Sequence, residues 1–464
     1  MPPLPYTTAI IGAGHAGAEA AWAAANLGAS VALITLRADT IGVMSCNPAI
    51  GGLAKGQIVR EIDALSGLMP LAADRSGIMF KTLNTSKGPA VRGPRAQCDK
   101  HAYARAVRNL LQSRPEITII EGAVEDFLFN DRSAIAGVRV RTTASSEPLE
   151  IRADSVVLTT GTFMRGLMHQ GPQQTPGGRV GEAPATAIST ALKNLGFELG
   201  RLKTGTPPRL RRSTIDWDSL EPQHGDDPPS PFSDLSLHNI NFPVLPQIEC
   251  RITRTTAEAH ELIRANLHRA PMFNGQVDSR GPRYCPSIED KVVRFADRDS
   301  HHVFLEPESL EDESVYCNGI ATSLPTDIQN EIVRRMPGCE RAEILRHGYA
   351  FEYDMTPAHQ IDATTMTKRV EGLFLAGQIN GTTGYEEAAA QGLLAGLNAV
   401  RYSRREPLLT LRRDQAYIGV LMDDLVTKTP VEPYRMFSSR AEHRLLLRAD
   451  NSTDRLTPLA IDLG

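Results

Sequence analysis

Thr7-Thr8-Ala9-Ile10-Ile11-Gly12-Ala13-Gly14-His15-Ala16-Gly17-Ala18-Glu19-Ala20-Ala21-Trp22 is the stretch that decides the fold. Its first five residues read as a short apolar strand. A Gly-x-Gly-x-x-Gly loop follows at once, and residues 18–27 are strong helix formers stopped by Gly28, the usual C-terminal glycine. Residues 30–36 read as a second strand, so a β-α-β unit is predicted at the very start. In such a loop Gly12 allows the tight turn out of the strand. Gly14 lets the backbone approach a diphosphate, and Gly17 lets helix and strand pack closely. A diphosphate then rests on N–H groups at the positive end of the helix. The motif alone is weak, but its position between a strand and a helix favours a dinucleotide site over a plain turn, with Ala13, His15 and Ala16 also in contact.

The second strand ends in Ile34-Thr35-Leu36-Arg37, and the first acid is Asp39. The acidic residue that often binds ribose hydroxyls is therefore missing, and the task falls to Thr35 or to backbone groups. Further strands are predicted at residues 117–120, 136–140 and 155–159. Much later, Leu373-Phe374-Leu375-Ala376-Gly377-Gln378-Ile379-Asn380-Gly381-Thr382-Thr383-Gly384-Tyr385 is again a strand entering a glycine turn, followed by a helix over 386–400. FAD is longer than NAD and needs a second strand end and helix N-terminus, so this return, with Gly377, Gln378 and Gly384, points to FAD.

The 464 residues are 41% hydrophobic and 22% charged, with a net charge of −4. That is ordinary for a globular chain, and any nucleic-acid surface must be a local patch. No apolar stretch approaches the roughly 20 residues of a membrane span. The start, Met1-Pro2-Pro3-Leu4-Pro5, predicts no signal or transit peptide, so the expected location is the cytoplasm. The proline-rich stretch 204–346 (Pro207, Pro208, Pro222, Pro228, Pro229 among others) reads as an insertion. The expected organisation is an α/β, Rossmann-like FAD/NAD(P)-binding domain of glutathione-reductase type over 1–203 and 347–403. An α+β domain is inserted at 204–346, and a helical region begins at 404–464.

Cysteines 46, 98, 250, 285, 317 and 339 contain no Cys-x-x-Cys pair, and no histidine spacing suits a metal, so no metal site is expected. Arginines cluster at 201–212, with Arg209, Arg211 and Arg212, and again at Arg435, Arg440, Arg444 and Arg448. The last three recur every four residues, as on one helix face. Both runs suit RNA phosphates, and a solvated, ion-paired face is the plainer alternative.

Four motifs carry a specific resemblance: Ser45-Cys46-Asn47-Pro48-Ala49-Ile50-Gly51-Gly52, Asn84-Thr85-Ser86-Lys87-Gly88-Pro89-Ala90-Val91, Gly281-Pro282-Arg283-Tyr284-Cys285-Pro286-Ser287-Ile288-Glu289-Asp290-Lys291, and residues 377–396. The chain resembles the MnmG (GidA) family of tRNA uridine 5-carboxymethylaminomethyl modification proteins, from the first glycine loop through Glu432-Pro433-Tyr434-Arg435-Met436-Phe437 and Ser439-Arg440-Ala441-Glu442. A tyrosine that the family carries after Ala-Glu is His443 here, and members continue beyond residue 464 into a helical domain. The resemblance implies FAD contacts at 12–17, Val124 and Gln378. It implies NAD contacts within 281–295, at Gly281, Pro282, Arg283, Tyr284, Ser287, Lys291 and Phe295. It also implies a homodimer that works with an MnmE-type GTPase on the wobble uridine of tRNA, drawing one carbon from methylenetetrahydrofolate and electrons from NADH.

Uracil C5 becomes nucleophilic once a group adds at C6, and a thiolate suits that step because it attacks readily and leaves again. Cys285, between Arg283 and Lys291, and Cys46, in a Gly/Pro-rich turn, are the candidate thiols. Glu289 or Asp290 is the candidate for removing the C5 proton. Two other functions compete: a TrmFO-type folate- and FAD-dependent tRNA uridine-5-methyltransferase, and a non-catalytic FAD-binding tRNA scaffold.

Overall fold

The computed structural model of the chain describes residues 5–142, 147–277, 279, 281 and 286–464. Its first strand, Tyr6–Ile11, sits inside a parallel sheet of order Ile117–Glu121, Val31–Thr35, Tyr6–Ile11, Leu149–Leu158 and Leu373–Leu375. Every residue of Val31–Thr35 is buried, as a parallel strand covered on both faces requires. Leu149–Leu158 pairs with Leu373–Leu375 on one side and is shared between two strands on the other. Its second half runs parallel to Tyr6–Ile11 from Tyr6↔Ala153 to Ile11↔Leu158, and its first half is antiparallel to Ile135–Arg141 of a hairpin with Ala123–Phe129. This is a Rossmann-like α/β architecture.

Helix His15–Asn26 crosses helix Tyr385–Ser403 over this sheet, and the crossing is made of backbone and small residues. A Cβ on Gly392 would lie 2.0 Å from the Ala16 carbonyl oxygen, and one on Gly396 would lie 2.3 Å from that of Ala20. Both helices are buried along almost their whole length, which explains why their sequences are rich in alanine rather than amphipathic.

Residues 204–346, read as one inserted block, divide into three parts. Residues 204–206 end strand Gly200–Thr206, which belongs to a four-stranded antiparallel sheet with Tyr349–Met355, Leu167–Gln170 and Gln173–Pro176. Six short strands between Arg209 and Arg346 form a second antiparallel sheet, with its own core around Leu210, Val303, Leu305, Val315 and Ile332. Residues 226–248 leave that sheet and lie on the first core. Phe232 is buried there, and the Asp74 carboxylate accepts the backbone N–H groups of Phe232 and Ser233 at 2.7 and 2.8 Å. Its prolines suit an extended strap that needs few ladder bonds.

The C-terminal region holds helices Tyr417–Lys428 and Ser452–Leu463, but residues 441–447 between them are turns. The expectation that Arg440, Arg444 and Arg448 share a helix face is therefore corrected. Long-range contacts hold this segment out of helix. Arg440 donates to the Arg435 carbonyl at 2.8 Å and stacks on Tyr434, while Glu442 is taken by Arg413 at 2.7 Å. Among the described residues, no helix is long and apolar enough to cross a membrane.

Candidate functional site

The three glycines of the first loop have different physical reasons. Gly12 has φ +97°, and a Cβ there would sit 2.5 Å from the Thr159 carbonyl oxygen. A Cβ on Gly17 would lie 1.8 Å from the Gly12 carbonyl oxygen, so strand and helix can meet only at glycine. Gly14 is different: a Cβ there meets nothing within 4 Å. Its smallness answers nothing among the described residues, and the open side lies where helix His15–Asn26 presents its first N–H groups without a side-chain cap.

The strand Leu149–Leu158 delivers Thr159, Thr160 and Gly161 beside this loop. Thr159 Oγ1 donates to the Ile11 carbonyl at 2.8 Å, whereas the buried Thr160 Oγ1 has no partner among the described residues. The strand Leu373–Leu375 delivers Gly377, whose φ is +88° and whose Cβ would touch that of Ala16 at 3.2 Å. Asn380, Gln391 and Thr382 tie the following turn together through bonds of 2.9 and 3.0 Å. Val124 is buried in Ala123–Phe129, and Gly384 with φ +143° opens the helix at Tyr385.

Tyr385 is where three segments meet. The His15 ring stacks on it at 4.2 Å, and its hydroxyl accepts the Cys46 N–H at 2.7 Å. Burial, with the Arg179 charge, pushes the His15 imidazole down to about 3, so the ring is neutral and acts here as an aromatic spacer. In the same first turn of the helix, Glu386 and Glu387 each reach the Lys55 ammonium at 2.9 Å, and Glu386 also accepts the Gly51 N–H at 2.7 Å. Burial opposes the charge on Lys55, and the two carboxylates outweigh it, leaving the amine above its ordinary value.

Cys46 is exposed, and its sulfur lies 3.0 Å from the Tyr316 hydroxyl, while Cys98, Cys250, Cys317 and Cys339 are buried. Burial pushes the Cys98, Cys250 and Cys339 thiols up to about 12, which makes them inert small hydrophobes. Beside Cys46, Asn47 donates to Glu306 at 2.7 Å, and Glu306 pairs with Arg95 at 2.7 Å.

Pro282, Arg283, Tyr284 and Cys285 lie outside the described residues. Gly281 sits against Lys203. Ser287 and Asp290 form a reciprocal capping box at the start of helix Ile288–Arg294. Glu289 is fully buried, and its carboxylate accepts from Thr322 Oγ1 and Ser323 N–H at 2.9 and 3.0 Å. One oxygen of Glu289 thus anchors the loop at Thr322 and Ser323, and the other is buried without a partner among the described residues. Lys291 donates to the Gly319 carbonyl at 2.8 Å, and the Phe295 ring is exposed.

Arg209, expected to meet RNA phosphate, is buried at 3% exposure and paired with Glu308 at 3.2 Å. This too is a correction, because an interior guanidinium with its own carboxylate cannot face a polyanion. Arg211 pairs with Glu343 at 2.7 Å, Arg212 donates to the Ser309 carbonyl at 2.5 Å, and Arg444 is exposed. Tyr385, Tyr316, Lys55, Glu386, Glu387 and Thr160 escape sequence reasoning, since their partners are far away in the chain. Acids in the first turn of a helix were the one available signal, for Glu386 and Glu387.

Residues 7–407 match the family described as "Glucose inhibited division protein A". The chain is 54% identical over 457 residues, 98% of its length and 71% of the relative's, to the tRNA uridine 5-carboxymethylaminomethyl modification enzyme MnmG of Granulibacter bethesdensis. It is 55% identical to the protein of that name from Rhodopirellula baltica, covering 99% of this chain and 70% of the other. The crystal structure of Aquifex aeolicus GidA superposes with a TM-score of 0.93 at 47% identity, over 99% of this chain and 76% of that one. The chain therefore belongs to the glucose inhibited division protein A family.

Proposed function

We propose that this chain is an FAD-dependent tRNA modification enzyme acting at C5 of the wobble uridine, with an MnmE-type GTPase, methylenetetrahydrofolate and NADH. The observation that carries the reading is the meeting at Tyr385. A nucleotide cradle with an open Gly14, a second glycine turn and an exposed thiol converge on one ring. The name of the relatives, tRNA uridine 5-carboxymethylaminomethyl modification enzyme, supports the substrate class.

FAD fits the residues present. Among the described residues, the Gly14 side is open, the N–H groups of helix His15–Asn26 have no side-chain cap, and Thr160 Oγ1 is buried without a partner. Gly12 to Gly17 would hold the diphosphate, and Thr160, Gly377 and Gln378 would line the rest. When bound, the flavin supplies electron transfer between NADH and the one-carbon unit.

In this reading Cys46 or Cys285 adds as thiolate to uracil C6, which moves an electron pair toward C5 and makes that carbon a nucleophile. That carbon attacks the one-carbon unit drawn from methylenetetrahydrofolate and forms the new C5–carbon bond; removal of the C5 proton with expulsion of the thiolate then restores the C5=C6 double bond. Glu289 or Asp290 is the carboxylate that accepts the proton. Arg211, Arg212, Arg435, Arg440 and Arg444 are the cations kept for tRNA phosphates. Gly281, Ser287, Lys291 and the exposed Phe295 ring are kept for NADH. The working form is a homodimer in the cytoplasm.

The test is mass spectrometry of tRNA nucleosides from a strain lacking the gene, with and without this chain. Restoration of the modified wobble uridine is expected. Loss of T-loop ribothymidine with an intact wobble base would replace the reading by the methyltransferase. Purified protein is expected to be yellow and to bleach with NADH without air; colour without bleaching would leave only a binding role.

A further inference from the structure

The proposed chemistry asks for a thiol that becomes a thiolate near neutral pH, and Cys46 is seated by more than its own loop. Strand Ser314–Asn318 presents Tyr316, 4% exposed, with its hydroxyl 3.0 Å from the Cys46 sulfur. Arg209 and Tyr316 are direct partners across the antiparallel strands Arg209–Arg211 and Ser314–Asn318, and the guanidinium lies over the Tyr316 ring at 4.6 Å. Arg209 also donates to the Ser45 carbonyl at 3.3 Å, so the residue before the thiol is tied to the same guanidinium. Among the described residues, the charged and titratable groups around the sulfur are the phenols of Tyr316, Tyr349 and Tyr385, with Arg209 and its partner Glu308.

A hydroxyl beside a sulfur can donate or accept. Once the sulfur is a thiolate, donation is the only favourable arrangement, and a bond to the charged form favours that form. A cation over the ring face draws electron density from the phenol and makes its O–H the better donor. Arg209 is held in place by Glu308, so the stack does not depend on substrate.

We propose that Tyr316 is a positioning residue for Cys46, donating its phenol hydrogen to the thiolate while Arg209, stacked on its ring, keeps the donor in place. Its catalytic meaning rests on the thiol's role in the function proposed above, but its test does not.

The experiment is the pH-rate profile of Cys46 alkylation by iodoacetamide in the full chain with its flavin. Peptide mapping reads Cys46 and Cys285 separately. In Tyr316→Phe, the ring and its stack remain and only the hydroxyl is lost. The profile's midpoint is expected to rise by about one pH unit, with roughly tenfold slower alkylation at pH 7. The kcat for tRNA modification should fall while KM holds. An unchanged midpoint overturns the proposal. Should that variant fail to fold, 3-fluorotyrosine at position 316, a stronger donor of the same shape, is expected to lower the midpoint, and no shift again overturns it. Full tRNA modification by Cys46→Ser would instead remove the thiol from the proposed function, leaving the alkylation result to stand or fall by itself.

Discussion

The nucleotide cradle and the thiol seat are neighbours joined at Tyr385, yet they are built by opposite means. The cradle is backbone against backbone. Gly12, Gly17, Gly392 and Gly396 permit approaches of 1.8–2.5 Å to positions where a Cβ would otherwise sit, and alanines fill the remainder. The seat is side chain against side chain: Cys46, Tyr316, Arg209, Glu308 and Lys100 come from four separated segments and are tied by charge and hydroxyls. At those four glycines the cradle tolerates no added atoms. The seat tolerates shape changes but not the loss of a charge, because a buried ion without its partner is costly.

The comparison is tested most severely at the helix crossing. Gly392→Val would drive a branched side chain into the Ala16 backbone. We expect a loss of about 4 kcal/mol or more, read as little soluble protein or a collapsed urea midpoint. A wild-type midpoint would mean that the crossing is soft. Next comes Arg209→Ala, which leaves buried Glu308 with Lys100 as its one cation among the described residues, beside the Ser314 hydroxyl. A loss of about 3 kcal/mol is expected by denaturant titration.

pH separates the two regions by sign. In the cradle, burial raises the Glu19 carboxyl to about 7, against the opposing backbone bonds from Leu68 and Met69. Its stability contribution is therefore full below the ordinary value of 4.5 and is lost as pH rises toward 7. In the seat, burial also disfavours the Glu308 charge, but Arg209 and Lys100 outweigh it and hold the carboxyl below its usual range. That contribution is present above the unfolded value and is lost as pH falls through the folded one. Melts of Glu19→Gln should lose a slope worth about 2 kcal/mol between pH 4.5 and 7. An unaltered slope would show that Glu19 ionises freely.

Smaller effects follow at the junction and the open loop. Tyr385→Phe removes the acceptor for the Cys46 N–H, and about 1 kcal/mol is expected in thermal unfolding. Gly14→Ala should change stability by less than about 1 kcal/mol, since its Cβ meets no protein atom. The same variant should lose flavin by about tenfold or more in affinity, a shift of about 1.4 kcal/mol. Full flavin content in that protein would show that the diphosphate does not pass Gly14.

The N-terminal β-α-β unit, the return at Gly377 and the helix that follows were legible because each rests on local rules. Strand, glycine turn and alanine-rich helix lie within twenty residues of one another, and the steric demand for glycine repeats at short spacing. The C-terminal arginines misled, because a four-residue spacing is helical only where nothing else claims the side chains. There Arg440 is claimed by Tyr434 and the Arg435 carbonyl, and Glu442 by Arg413. Arg209 misled for the same reason: a basic run looks like a surface until Glu308, nearly a hundred residues on, is seen beside it.

What the sequence by itself determined is the cofactor class of the opening loop and the family to which the motifs belong, since both are written in contiguous residues. Only the tertiary structure decided which neighbours the Cys46 thiol has, which arginines are interior, and why Gly14 differs from Gly17. Those properties are sums over partners brought together by folding, and burial or a hydrogen bond across 270 positions leaves no trace in local order.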